Sequence, residues 1–162
     1  MIPSNFPIPG HDHRHCVGAA LDAAEAHCLA RGQRLTPLRR RVLELVWAGH
    51  GPVGAYALLD ALRAEGQAAA PPTVYRTLDF LVAQGLVHRI ERLNAFVGCA
   101  APGRPHVGQF LICAACKSVA ELDDRAVIAA VIDAAARLGF SVDRQTVEIE
   151  GLCPACRAAA DG

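Results

Sequence analysis

Two Cys-x-x-Cys pairs, Cys113-Ala-Ala-Cys116 and Cys153-Pro-Ala-Cys156, constrain this chain more than any other feature. Each pair offers two thiolates from one tight turn, and two such turns brought together supply the four sulfurs of a tetrahedral zinc site. The 36 residues between the pairs exceed the usual zinc-ribbon gap. A strand-helix-strand excursion would consume that length and return the second pair to the first. The competing use of such pairs is a redox dithiol, which needs electropositive neighbours to activate a thiolate, and only Lys117 and Arg157 are adjacent. Structural zinc on Cys113, Cys116, Cys153 and Cys156 is the preferred reading. Four sulfurs leave no coordination position for water or substrate, so such a zinc is a staple for the C-terminal part of the chain and not a catalyst.

A chain of 162 residues forms one domain or two small ones, since about 60 residues already suffice for a marginal core. The residues are 52% hydrophobic, largely through alanine, and the apolar runs fall short of the roughly 18 residues that suggest a membrane span. The first sixteen residues, MIPSNFPIPGHDHRHC, have neither the cationic start nor the apolar core of a secretory signal. A soluble, cytoplasmic protein is expected, and in that compartment seven cysteines do not form a disulfide framework. Net charge is zero, yet from Arg31 to Arg92 nine arginines face five acids, net +4, with acidic flanks. A basic segment within a neutral chain suits a polyanion bound conditionally, although a solvated arginine face would look the same.

The apolar periodicity predicts an α+β chain. Residues 1 to 15 read as a mobile arm whose His11, His13 and His15, with Cys16, either bind metal loosely or, as preferred, are solvated tail. An alanine-rich helix follows from Val17 to Ala30, ended by Gly32, with Cys28 packed inside it. Thr36-Pro37 caps a second helix carrying Leu38, Val42, Leu45 and Val46 as far as Gly49. A third, Ala55 to Ala64, points Leu58, Leu59 and Leu62 inward. A fourth begins after Pro71-Pro72 and carries Val74, Leu78, Leu81 and Val82 to Gly85. Short helices with tight breaks suggest a helix-turn-helix. LVHRIERL and AFVGCA, separated by Asn94, read as a hairpin wing. The domains assigned are therefore the arm, a winged helix over 16–100, a Pro/Gly-rich hinge over 101–105 and a small α/β domain over 106–162. In the last, QFLIC, SVAEL, a helix from about Asp124 to Leu138, and SVDRQTVEIE form a β-β-α-β unit.

A second donor set consists of His88 and Cys99 on the wing, His106 past the hinge and Glu121 after the first knuckle. Mixed nitrogen, sulfur and oxygen donors suit zinc better than calcium or magnesium, and the thiolate disfavours iron. Spacing alone leaves this open, because a lone His or Glu on a strand is usually an ordinary polar residue.

The segments RLTPLRRRVLELV, AYALLDALR and PPTVYRTLDFLVAQGLVHRI, the ten residues between His88 and Cys99, and the paired knuckles together resemble the ferric uptake regulator superfamily. Within it the zinc uptake regulator branch is the most similar. The resemblance runs from about Cys28 to Cys156. It implies a homodimer with structural zinc on the four knuckle cysteines, and it aligns His88, Cys99, His106 and Glu121 with the regulatory zinc ligands, giving two zincs per protomer. The implied activity is repression of zinc-uptake genes from an AT-rich inverted repeat in double-stranded DNA. Iron-sensing relatives carry an H-H-D-H run where this chain reads VGQFLIC, which disfavours an iron sensor. The same departure argues against a third metal site, and the N-terminal histidines are no obvious replacement.

As in other helix-turn-helix readers, the fourth helix would enter the major groove with Thr73, Tyr75 and Arg76 near its start. Arg76 can fork onto guanine O6 and N7, and Tyr56 on helix three can touch a phosphate or a thymine methyl. Core packing is the competing role for Tyr75, beside Val74 and Leu78, and for Tyr56. Arg39, Arg40 and Arg41 are expected on backbone phosphates. Asp60 and Arg63 form either an exposed local pair or a contact between adjacent dimers. One zinc shared by the second donor set would fix the angle between domains so that a dimer's recognition helices match half-sites about 34 to 36 Å apart. No enzyme is expected and no small-molecule substrate. The zinc deaminases' H-x-E followed by P-C-x-x-C is missing, since Arg-Ile-Glu follows His88 and Pro154 lies inside the second knuckle. A redox-sensing or other-metal-sensing regulator is the remaining rival.

Overall fold

The computed structural model describes Phe6 and residues 13–49, 51–104 and 106–160. Most of the expected arm, His11 included, lies outside the described residues, as do the side chain of His13 and all of His50 and Pro105. The chain divides into two compact units between Arg104 and Pro105. As anticipated, helix and small sheets are mixed.

In the first unit, α1 (His13–Ala30) starts four residues before the expected Val17. Its inner stripe is Leu21, Ala24 and Cys28, all buried. In α2 (Pro37–Trp47) the Thr36 hydroxyl accepts from the Arg39 amide at 3.4 Å and proline occupies the first turn, the arrangement that satisfies otherwise orphaned amides. The buried residues of α2 are Val42, Leu43 and Val46, so Leu43 takes the inner place expected of Leu45, which is half-buried at the core's edge. Helix α3 (Ala55–Ala64) buries Leu58, Leu59 and Leu62. Helix α4 (Pro71–Ala83) buries Val74, Thr77, Leu78 and Leu81. Expected Val82 is 39% exposed, because one residue past Leu81 is about 100° around the axis, at the edge of the stripe through 74, 78 and 81. Thr77 fills the stripe by donating its hydroxyl to the Thr73 carbonyl at 2.9 Å, which lets a polar residue be buried at little cost.

The wing consists of β2 (Val87–Ile90) and β3 (Ala95–Gly98), joined through a 3₁₀ turn, Glu91–Leu93, and Asn94 in the left-handed region at φ 45. Asn tolerates that region, and here its Oδ1 also accepts from Arg89 at 3.1 Å. A two-residue strand before α3, β1 (Val53–Gly54), adds to the far side of β3 and gives the order β1-β3-β2. Two residues carry no alternation, so this strand has no readable signature in the sequence.

In the second unit β4 (Gly108–Cys113) is central, antiparallel to β5 (Val119–Glu121) and parallel to β6 (Thr146–Gly151). Helix α5 (Arg125–Arg137) makes the crossover that parallel pairing requires. It starts at Asp124, whose Oδ1 accepts from the Ala126 amide at 2.8 Å, and Gly139 follows it at φ +71. The expected strand from Ser141 shortens to Thr146 because the ladder with β4 begins at Gly108↔Thr146. A further helix, α6 (Pro154–Ala160), went unread because its alanines bury no face. No helix among the described residues is long and apolar enough to cross a membrane.

One close approach in the first unit has a measurable cost. A Cβ on Gly98 would lie 2.2 Å from the Trp47 indole, and a rigid ring cannot give way as a flexible chain end can. Gly98→Ala is expected to destabilise the unit by about 1 to 3 kcal/mol, the usual cost of overpacking. A lowered denaturant midpoint with an unchanged m-value checks this, and an unshifted midpoint contradicts it.

Candidate metal centres and nucleic-acid interface

Parallel pairing is what assembles the cysteine cluster. Strands β4 and β6 run in the same direction and end level, with Cys113 opposite Gly151. Each knuckle starts at a strand's C-terminal end, so the two turns face each other. In the first, the Lys117 amide returns to the Cys113 carbonyl at 3.0 Å and Lys117 takes φ 61. The Ala114 amide crosses to the Gly151 carbonyl at 2.7 Å and ties the first turn to the end of β6. The second knuckle opens α6, with the Arg157 amide on the Cys153 carbonyl at 2.9 Å.

The four Sγ atoms lie within 4.8 Å of one another, and Cys116 and Cys153 are 3.8 Å apart. A tetrahedral ion with Zn–S bonds of about 2.3 Å places its sulfurs about 3.8 Å apart. Backbone amides already point at the sulfurs, Cys153 at Cys113 Sγ at 3.4 Å and Cys156 at Cys153 Sγ at 3.5 Å. Hydrogen bonds from the amides of Cys116 and Cys153 pull the Cys113 thiol down to about 6. The Ser118 hydroxyl, 3.1 Å from Cys116 Sγ, lowers that thiol too. Cys156, hydrogen-bonded to Cys153 and surrounded by the other sulfurs, is pushed up to about 12. Close-packed sulfurs cannot all ionise together, so some thiols keep their protons until a cation compensates the charge. Zinc fits this donor set in number, spacing and charge.

The second donor set divides between the units. In the first, His88 lies on β2 opposite Val97. The pairing continues through the Cys99 amide, which donates to the Leu86 carbonyl at 3.0 Å. Cys99 is thus the diagonal neighbour of His88 across the ladder, on the same face, and its side chain is buried. In the second unit, His106 Nε2 lies 2.9 Å from Glu121 Oε1, and both side chains are largely shielded. Two ligands of one tetrahedral ion with bonds of about 2.0 to 2.1 Å sit about 3.3 Å apart, so this pair needs little adjustment to share a metal.

Tyr75 is 38% exposed and Tyr56 65% exposed. Core packing for Tyr75 is therefore corrected: Val74 and Thr77 face inward, and the residue between them turns out. Arg76 is exposed, its Nε donating to the Pro72 carbonyl at 3.3 Å, and Thr73 is half-buried. The three arginines of α2 all have intramolecular partners. The Arg39 guanidinium lies 3.4 Å above the Phe80 ring and donates to the Arg34 carbonyl at 2.7 Å. Arg40 pairs with Glu25 at 2.8 Å. Arg41 pairs with both Glu44 and Glu65. On α3, Asp60 and Arg63 are exposed, and Arg63 donates to the Ala69 carbonyl at 3.3 Å. On α1, His15 is exposed and Cys16 half-buried. Cys28 is buried, which raises its thiol. Sequence reasoning missed His27 and the Trp47–Gly98 contact, which have no motif; only the smallness of Gly98 beside a wing cysteine hints at the latter.

The profile of the ferric uptake regulator family matches residues 30–150. The zinc uptake regulation protein of Escherichia coli (strain K12) is 42% identical over 137 residues, covering 84% of this chain and 80% of that protein. A solved zinc uptake regulator complexed with zinc and DNA superposes with a TM-score of 0.85 at 39% identity, over 90% of this chain and 98% of the other. The crystal structure of holo XcZur gives a TM-score of 0.79 at 48% identity, over 86% and 98%. The chain belongs to the ferric uptake regulator family, within its zinc uptake regulator branch.

Proposed function

We propose that this protein is a zinc-responsive transcriptional repressor, a homodimer whose zinc-loaded form binds an AT-rich inverted-repeat operator and represses zinc-uptake genes. The observation that carries the reading is the second donor set. His88 and Cys99 belong to a winged-helix unit with an exposed Tyr75 and Arg76, while His106 and Glu121 belong to the unit that also holds the cysteine cluster. The domain roles follow: a winged helix over 16–100, a hinge over 101–105 and a dimerisation domain over 106–162.

The zinc of Cys113, Cys116, Cys153 and Cys156 holds the ends of β4 and β6 together and has no further task. A second zinc on His88, Cys99, His106 and Glu121 restrains the hinge, because one ion binds ligands from both sides of it. The ion favours whichever interdomain arrangement lets all four residues reach it, and DNA favours the arrangement that places both recognition helices. If these coincide, each ligand tightens the other by the same factor. Dimerisation is supported by α5, which buries no residue within the chain and exposes Val131 and Ile132, with Leu138 and Phe140 exposed just beyond it. An apolar face of this kind needs a partner. The closed four-sulfur cluster supports a non-enzymatic role, and the absence of an apolar spanning helix among the described residues accords with cytoplasmic action.

Three outcomes are expected. Stripping labile metal should leave one zinc per chain, and adding zinc back should fill a second site and switch on operator binding. Cys99→Ser should abolish that second step only. Metal counting with operator titration checks it, and an iron response of equal strength, or a dispensable Cys99, refutes it. Arg76→Ala should cost about 1 to 3 kcal/mol of discrimination at one base position, seen as relaxed specificity there in binding assays against single-base operator variants. The third outcome concerns acid. A thiol whose folded value lies below its unfolded one adds stability that is complete above the unfolded value and vanishes as pH falls through the folded one. For Cys113 in metal-free protein that loss runs from the ordinary thiol value of 9.0 down to about 6. Zinc should move it to lower pH, and ultraviolet thiolate absorbance with and without zinc measures both transitions.

A further inference from the structure

His27 lies near the end of α1 and contacts two segments far from it in sequence. Its Nε2 lies 2.9 Å from the carbonyl oxygen of Gln84, 57 residues away, at the C-terminal cap of α4. A carbonyl only accepts, so Nε2 carries the proton and donates. The other ring nitrogen faces the turn at Gly103, where a Cβ would come within 2.9 Å of Nδ1. Gly103 also takes φ +83, which an L side chain rarely adopts. The imidazole is therefore held between the cap of α4 and the last turn before the units divide.

The same short segment that receives His27 also holds Cys99. Gln84 is followed by Gly85 at φ +68 and by Leu86, whose carbonyl accepts from the Cys99 amide at 3.0 Å. His27 and Cys99 are thus anchored two residues apart on one backbone segment, and Leu86 is itself fixed by its amide on the Leu81 carbonyl at 2.9 Å. Beyond Cys99 the chain turns, with Arg104 donating to the Ala101 carbonyl at 3.3 Å, and passes over the imidazole at Gly103. Cys99 is then fixed on both sides, by Leu86 before the turn and by the seat on His27 after it.

We infer that His27 is a positioning residue for the regulatory zinc, acting through the backbone to hold Cys99 and the chain leaving it in ligand geometry. This rests on the reading of Cys99 as a zinc ligand. Groups that orient a ligand without touching the metal influence affinity, because an unheld ligand loses conformational freedom each time the ion binds. The hydrogen bond of His27 is at the C-terminal end of α4, away from Tyr75 and Arg76 near its start, so the operator-reading surface is not its target.

The test uses full-length protein with His27→Leu, His27→Gln, Gly103→Ala and Cys99→Ser. Leucine keeps bulk and loses the donor, whereas glutamine places an amide nitrogen close to where Nε2 stood. His27→Leu is expected to raise the zinc concentration for half-maximal operator binding about tenfold, the low end of the effect for groups that orient ligands. His27→Gln should restore it to near the wild-type value. Operator affinity at saturating zinc and the one tightly held zinc per chain should be unchanged in both. Gly103→Ala pushes on the imidazole from the other side and should shift the zinc response in the same direction, so it carries the test should His27→Leu fail to fold. An unshifted response in His27→Leu or, failing that, in Gly103→Ala overturns the inference, as does a glutamine variant as impaired as the leucine one. Loss of operator affinity at saturating zinc also overturns it, because it marks a general structural role. Cys99→Ser separates the two levels: if it leaves the zinc response intact, the regulatory-site reading has failed, independently of His27.

Discussion

The parallel ladder between β4 and β6 is the interaction on which the second unit depends. Parallel strands cannot be joined by a hairpin; they need a crossover, and α5 supplies it. In return the C-terminal ends of both strands fall on the same edge, which brings the two Cys-x-x-Cys turns within reach of one ion. The separation of the two pairs, awkwardly long for a ribbon, is the length of that crossover. Amides aimed at Cys113 and Cys153 show that the turns are shaped around sulfur. The proton sharing among the sulfurs shows why a metal improves the arrangement, since close-packed thiolates repel and a divalent cation removes the conflict.

The winged-helix unit follows a different logic. It has a continuous apolar core from α1 to β3, and several of its polar residues are satisfied close by in sequence. Thr36 caps α2, Thr77 satisfies itself on its own helix, and Asn94 turns the wing. This leaves the exposed Tyr56, Tyr75 and Arg76 on a surface that packing does not dictate. Cys99 joins the two logics. It is buried like a core residue, yet it stands at the edge of the wing, where its amide is held on the Leu86 carbonyl and its neighbour Gly98 fits closely against Trp47.

Much of this was legible in the sequence, and the exceptions have physical causes. Helices with a cap and a full apolar stripe, α2 and α3 above all, are specified locally, and α3 falls on its expected residues. The cysteine pairs announced their chemistry because their spacing has few other uses. Strand β1 was invisible because two residues carry no alternation, and helix α6 because its alanines bury no face. For Tyr75 the apolar neighbours left core packing as a competing role, which its exposure removes, because a helix assigns inside and outside by angle and not by adjacency. His27 was unreadable for a deeper reason: its partners are 57 and 76 residues away, and nothing local to a lone histidine reveals a distant carbonyl. The donor set of His88, Cys99, His106 and Glu121 owed its assignment from sequence to resemblance, since its residues lie on separate segments with no common spacing; the wing pairing and the approach of His106 to Glu121 give each half a geometric basis.

The arginines of α2 carry a consequence for how selective such a protein can be in a crowded genome. Arg40 and Arg41 are countered by Glu25, Glu44 and Glu65, and Arg39 lies flat on Phe80. Cations already matched by carboxylates displace few counterions when they approach a phosphate backbone, so they contribute little to indiscriminate adhesion. On this helix arbitrary duplex meets few cations that lack a carboxylate or ring partner. The share of protein lost to the vast excess of irrelevant sites shrinks accordingly, and occupancy of the true site depends more on base contacts and on the bound state of the metal than on raw charge.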